Sequence, residues 1–164
     1  MSVLEDLLQR PSRLEVADLP APPSERVAIV TCMDARIDLG LLLGLQPGEA
    51  HVIRNAGGII TDAELRSLAI SQRKLGTTAV VVMTHTQCGM ASFTDEDFVA
   101  ELEQDAGEAP GWAPGAFSDP YEAAAEGVAA VRACVHLPHR DDVHGAVIDL
   151  QTGRIVRIGE GAGS

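Results

Sequence analysis

The run Thr77 to Thr84, TTAVVVMT, restricts the fold more than any other stretch of the chain. It is continuously apolar and β-branched where a strand with one wet face would alternate, so it belongs in a sheet covered on both sides. Arg26 to Thr31 repeats the pattern, and Ala50 to Arg54 reads as a further strand. Gly145 to Leu150, the turn Gln151-Thr-Gly153 and Arg154 to Ile158 read as a hairpin. The intervening segments have helical spacing. Ile37 to Leu45 stops at Gln46-Pro-Gly48. Thr61 and Glu64 form a capping box ahead of Leu65, Leu68, Ala69 and Leu75, closed by Gly76. Thr94 to Asp105 and Asp119 to Cys134 complete the set. Strands alternating with helices predict an α/β fold: a mainly parallel four-stranded sheet flanked by helices, with an antiparallel C-terminal edge strand.

The 164 residues, 46% of them hydrophobic, carry no linker that divides them, so a single α/β domain over 1–164 is expected. Within it, residues 1–25 read as an N-terminal arm, with the short amphipathic stretch Leu4 to Leu8 and the Pro-rich Leu19 to Pro23 leading into the first strand. Residues 159–164 read as a tail, which makes Gly159-Glu-Gly-Ala-Gly163 no dinucleotide fingerprint. A net charge of −12 argues against nucleic acid or an anionic membrane surface as partner, since both demand a basic face. The N-terminus has acids where a signal peptide has Lys or Arg, and no apolar run approaches the roughly 18 residues of a membrane span. A cytoplasmic protein is expected. Three cysteines, at 32, 88 and 134, make no disulfide framework and leave burial, reactivity or metal binding as their roles.

The candidate chemistry sits at two strand exits. In an extended segment residues i, i+2 and i+4 share a side, so Cys32, Asp34 and Arg36 of TCMDARID can face one place. His85 and Cys88 of HTQC follow the third strand, on a turn expected to open a helix. Ligand crevices of open α/β sheets lie outside the carboxyl ends of the strands, and both groups reach one crevice if the first and third strands are neighbours. Alone, Cys32 reads as ordinary core and His85-x-x-Cys88 as a weak signal. Together, two thiolates and an imidazole are a zinc set, and three protein ligands leave a fourth position for water or a side chain, the pattern of a catalytic site. Asp34 could accept a proton from that water and aim it, or take the fourth position itself and close the site. Arg36 decides between these by holding Asp34 ionised and off the metal. A plain surface ion pair, worth ~0–1 kcal/mol, is the competing account.

Other candidates are shared between site and scaffold. Gly57 and Gly58 either permit a turn or bring backbone to the pocket. His51, Ala56, Met33 and Ile60 are pocket candidates that double as strand and core residues, with His51 also a candidate proton shuttle. Cys134, His136, His139 and His144 could hold a second metal, but Pro138 and the irregular spacing fit a helix end and loop better.

Cys32-x-Asp34-x-Arg36, Arg54-Asn55-Ala-Gly57-Gly58 and His85-x-x-Cys88-Gly89, with about fifty residues between the first and last motifs, resemble the beta-class carbonic anhydrases. The resemblance runs from about Val27 to Ile158, and the shortness of the chain suggests the compact clade. It implies zinc on Cys32, His85 and Cys88, an Asp34–Arg36 dyad, and reversible hydration of carbon dioxide to bicarbonate and a proton. It also implies a homodimer or homotetramer, the site near the subunit interface and the arm over the partner. Larger members place an aromatic residue after the Gly-Glu-Ala element, whereas Gly48-Glu-Ala50 is followed here by His51. Their long helical N-terminal region and the glutamine before strand one are absent too, so the pocket is built differently. Relatives on the same scaffold hydrolyse carbonyl sulfide or carbon disulfide, and the ligand set does not separate these substrates. An alternative from another class is a zinc-binding or sensing protein whose site Asp34 closes.

Overall fold

The computed structural model describes residues 3–11 and 15–159. Beyond Gly159 the expected tail lies outside the described residues, as do residues 1–2 and 12–14 of the expected arm.

Five strands form one sheet in the order β2-β1-β3-β4-β5: β1 (Val27–Cys32), β2 (Ala50–Asn55), β3 (Ala79–His85), β4 (Val143–Asp149) and β5 (Arg154–Arg157). The first four are parallel and β5 runs antiparallel to β4 at the edge, so the fold is the α/β architecture that the apolar runs dictate. Five helices connect them: α1 (Val3–Leu8), α2 (Leu39–Leu43), α3 (Asp62–Leu75), α4 (Asp95–Ala106) and α5 (Pro120–Ala133).

Helix ends follow side-chain chemistry. Thr61 accepts a hydrogen bond from the Ala63 amide at 3.3 Å while Glu64 accepts from the Thr61 amide at 3.0 Å, which satisfies donors that the first turn of α3 leaves unpaired. Asp38 caps α2 by accepting from the Leu41 amide at 3.0 Å, and Gly44 ends it in the left-handed conformation. The helix therefore occupies only the middle of the expected Ile37 to Leu45. Ile37, ahead of the cap, is buried as a core residue instead.

The two faces of the sheet are covered differently. On one, Ala28, Val30, Val80, Val82 and Val143 pack with Leu68 of α3 and Val131 of α5. On the other, Ile29, Met83, Ala146 and Ile148 pack with Ile37, Leu39, Cys32, Cys88 and Met90, and with the partly buried Phe93 and Phe117. Each buried branched side chain contributes about 1.5–3 kcal/mol, so both layers are substantial. The second face is closed by α2, a single 3-10 turn and loop residues, not by long helices. Among the described residues α4 buries none of its side chains and α1 none of its own.

Candidate active site

β2 lies on one side of β1 and β3 on the other, so the chain leaves β1 in opposite directions and opens a crevice at its C-terminal end. Thr31 stands opposite Met83 in the β1–β3 ladder, and Cys32 and His85 leave the sheet at the same edge. After His85, Gln87 adopts a positive φ of 56°, a conformation uncommon outside glycine, and Cys88 precedes the 3-10 turn Gly89–Ala91. The helix expected after His85 is thus one turn.

The structure brings Cys32, His85 and Cys88 together, all three buried, with their ligand atoms within 4.8 Å of one another. The two sulfurs are 3.9 Å apart. Two thiolates on one tetrahedral zinc, at about 2.3 Å each, stand about 3.8 Å apart, so the pair is already spaced for a shared ion. The His85 ring donates from Nδ1 to the Thr86 carbonyl at 2.9 Å, which leaves the lone pair on Nε2. That Nε2 is buried and without a hydrogen-bond partner. A buried nitrogen lone pair with no partner beside two buried thiols fits a soft cation.

Electrostatics agree with this arrangement. Burial pushes the Cys32 thiol up, but the His85 imidazole and the backbone N–H groups of Asp34 and Gly57 outweigh it and bring the thiol to about 7. Burial pushes Cys88 up to about 11, reinforced by Cys32 and opposed by the Met90 N–H. A divalent cation between the sulfurs would remove that mutual penalty.

Asp34 and Arg36 form a fork. Oδ1 accepts from the Arg36 backbone amide and from Nε, each at 2.9 Å, and Oδ2 accepts from Nη2 at 2.7 Å. The guanidinium holds the Asp34 carboxyl well below the usual carboxylate range, so it is ionised throughout the neutral range. The same Nη2 donates to the Gln87 carbonyl at 3.0 Å and joins the two loops that follow Cys32 and His85. Asp34 Oδ2 lies 3.9 Å from His85 Nε2, beside the cluster.

The remaining candidates divide. Ala56 packs against the apolar cluster that contains Cys32 and Cys88. Gly57, at φ 86°, turns its N–H toward the Cys32 sulfur, and a Cβ there would lie 2.9 Å from the Phe117 ring and 3.1 Å from Met90. Gly58 is packed directly on the sheet: its Cβ would fall 2.8 Å from the Cys32 nitrogen and 2.9 Å from the Met83 oxygen, at φ 70°. Gly58→Ala is expected to destabilise the protein by about 3 kcal/mol, of which about 1–2 is the left-handed backbone and about 1–3 the overpacking. Urea unfolding monitored by circular dichroism measures this, and a change under 1 kcal/mol would contradict it.

His51 is a correction. It is the second residue of β2, opposite Ala28, so it sits toward the N-terminal ends of the parallel strands, away from the crevice. There Nδ1 pairs with Ser71 Oγ at 2.8 Å and Nε2 reaches the Ala21 carbonyl at 3.4 Å, which ties the segment before β1 to α3. Ile60 packs with the helix-covered face, away from the cysteines, and Met33 is exposed. The main-chain carbonyls of His136 and His139 accept from Arg73 and Gln72, and His144 pairs with Asp142 and Arg157, so these histidines serve the α5–β4 connection.

Arg54, which the sequence offers as part of a motif without a role, has a defined place in the site. Its Nε donates to the Cys32 carbonyl at 3.0 Å and its Nη2 to the Asp34 carbonyl at 2.7 Å. The available signal was the placement of an arginine at the exit of the strand next to β1, where Arg54 stands opposite Thr31.

A sequence model of the carbonic anhydrase family matches residues 27–114. The chain is 44% identical over 137 residues to beta-carbonic anhydrase 1 of Mycobacterium tuberculosis, 84% of each protein. A solved carbonic anhydrase from Streptococcus mutans superimposes with a TM-score of 0.84 at 36% identity, over 97% of this chain and 99% of that one. A carbon disulfide hydrolase of Acidianus is 46% identical over 76 residues, 46% of this chain and 37% of that protein. A match of this extent, on a fold whose strand exits assemble two cysteines, a histidine and an Asp–Arg fork, means that the chain belongs to the beta-class carbonic anhydrase family.

Proposed function

We propose that the protein catalyses reversible hydration of carbon dioxide to bicarbonate and a proton, with zinc held by Cys32, His85 and Cys88. The observation that carries this reading is the buried three-ligand cluster with its unpartnered His85 Nε2 beside a carboxylate fixed by arginine. Zinc bound there would lower the pKa of a water toward about 7 and so supply a nucleophile at neutral pH. The rest falls to the chain's own residues. Asp34, ionised and paired with Arg36, accepts a hydrogen bond at its carboxylate edge and so orients the attacking water. Arg36 also keeps that carboxylate from becoming a ligand, which favours an open site over the closed, non-catalytic alternative. With His85, the N–H groups of Asp34 and Gly57 bring the Cys32 thiol down to about 7. The apolar surroundings, with Ala56, Met90 and Phe117, suit a small uncharged linear molecule.

Carbon dioxide is favoured over carbon disulfide because the carbonic anhydrase relative is 44% identical over 84% of the chain, whereas a solved carbon disulfide hydrolase that covers 96% of it is 29% identical. Stopped-flow hydration on protein of measured zinc content tests the reading, alongside sulfide release from carbonyl sulfide and carbon disulfide. Stoichiometric zinc with no hydration at any pH would sink it, and sulfide release with little hydration would transfer the site to the other substrates.

The whole of 1–164 is read as one zinc-binding unit, acting in the cytoplasm, where its free cysteines stay reduced. Among the described residues no helix is long and apolar enough to cross a membrane, and the charge of −12 opposes nucleic acid. Leu4, Leu7 and Leu8 of α1 are 64%, 49% and 75% exposed, a surface that supports a homodimer or homotetramer with the arm laid on a neighbouring copy.

A further inference from the structure

We propose that Arg54 is a positioning residue whose grip on two main-chain carbonyls decides whether the Asp34 carboxylate stays beside the metal cluster or enters it. The turn that carries Asp34 is fastened to β2 at three successive residues. The Cys32 carbonyl accepts from Arg54 Nε at 3.0 Å, the Met33 amide donates to the Asn55 carbonyl at 2.7 Å, and the Asp34 carbonyl accepts from Arg54 Nη2 at 2.7 Å. Two of the three fastenings come from one planar guanidinium, and both are charge-assisted. The backbone of Arg54 is itself fixed, opposite Thr31 in the parallel β1–β2 ladder, so the side chain transmits the rigidity of the sheet to a segment that has left it.

The grip matters because of how little separates two arrangements of Asp34. Its Oδ2 is 3.9 Å from His85 Nε2, so a modest rotation of the Cys32–Asp34 peptides would bring a carboxylate oxygen to the position that the three ligands leave free. Arg36 opposes this from the side-chain end, but its own side chain is 54% exposed against 16% for Asp34, so water and salt compete at its outer edge. Arg54 opposes it from the backbone end, and no other described residue bonds either carbonyl by its side chain. The site thus has one arginine on the carboxylate and another on the peptide that carries it.

This proposal rests on Cys32, His85 and Cys88 being the metal ligands, and cobalt(II) in place of zinc separates the two questions. In the wild type, cobalt bound one per chain should show thiolate charge transfer and ligand-field bands that move when thiocyanate is added, because the fourth position is accessible. Arg54→Gln should keep the cobalt but lose the response to thiocyanate, and adding Asp34→Asn to Arg54→Gln should restore it. Arg54→Lys, which keeps the charge and can hold one carbonyl at a time, should respond partially. On the zinc enzyme, Arg54→Gln should lower kcat about 10- to 100-fold with KM little changed. A thiocyanate response in Arg54→Gln equal to wild type overturns the proposal, and so does failure of Asp34→Asn to restore a lost response. Loss of cobalt from Arg54→Gln also overturns it, since Arg54 would then support the Cys32 ligand and not Asp34. Wild-type protein that takes up no cobalt or zinc overturns the metal reading itself.

Discussion

Cys88→Ser protein is expected to purify without stoichiometric zinc and to hydrate carbon dioxide no faster than the buffer does. Cys88 is 7% exposed and its sulfur stands 3.9 Å from that of Cys32, so a dication between them would meet both sulfurs and favour their deprotonation. A serine hydroxyl stays protonated at neutral pH and is a harder, weaker donor, which leaves one thiolate and one imidazole. If three protein ligands share a binding free energy of about 10–16 kcal/mol, removing one costs roughly 3–5 kcal/mol, about 10²- to 10³-fold or more in affinity. The sheet has its own core on both faces, so the folded secondary structure should survive. Metal analysis after dialysis, with circular dichroism as control, checks this. Retention of one zinc per chain by the serine variant would show that Cys88 is not a ligand.

The second large effect is expected at Asp34, and it separates chemistry from metal binding. Asp34→Asn should retain zinc, because the three ligands are untouched, yet turn over about 10²-fold more slowly. The amide keeps the shape of the side chain but gives up the charge that Arg36 holds in place through Nε and Nη2, and with it the strong hydrogen-bond acceptor that orients the attacking water. KM should change far less than kcat, since Asp34 is read as acting on the attacking water and not as a grip on an uncharged substrate. Asp34→Asn is therefore the change that should reopen a closed cobalt site in the Arg54→Gln background without restoring rate. Full activity in Asp34→Asn with full zinc would remove the dyad from the mechanism and leave the family assignment standing.

Much of this architecture is legible in one dimension because burial on both faces writes itself into sequence. TTAVVVMT has no polar alternation since β3 is covered on both sides, with only Ala79 and Val81 partly exposed, and the same physics marks β1. Helix starts are legible where an oxygen-bearing residue must satisfy free amides: Asp38, Thr61, Thr94 and Asp119 all accept from the first turn of their helices. The same logic, applied to Asp38 and Gly44, would have trimmed α2 to Leu39–Leu43. His51 shows where local reading gives out. It follows a motif element, but as the second residue of a parallel strand it is carried to the wrong end of the sheet.

What the sequence determined by itself is the inventory: five strands, their helices, and at two strand exits the cysteines and histidine of a candidate metal site. What only the tertiary structure decided is adjacency. No local pattern states that β1 lies between β2 and β3, yet that order alone brings His85 beside Cys32 and lets Arg54, twenty-odd positions from both carbonyls it binds, reach across from the next strand. The physical reason is that propensity, capping and burial act over a few residues and leave their mark in the chain. Strand order is instead a choice among long-range pairings of similar apolar runs, settled by which arrangement closes both faces of the sheet at once.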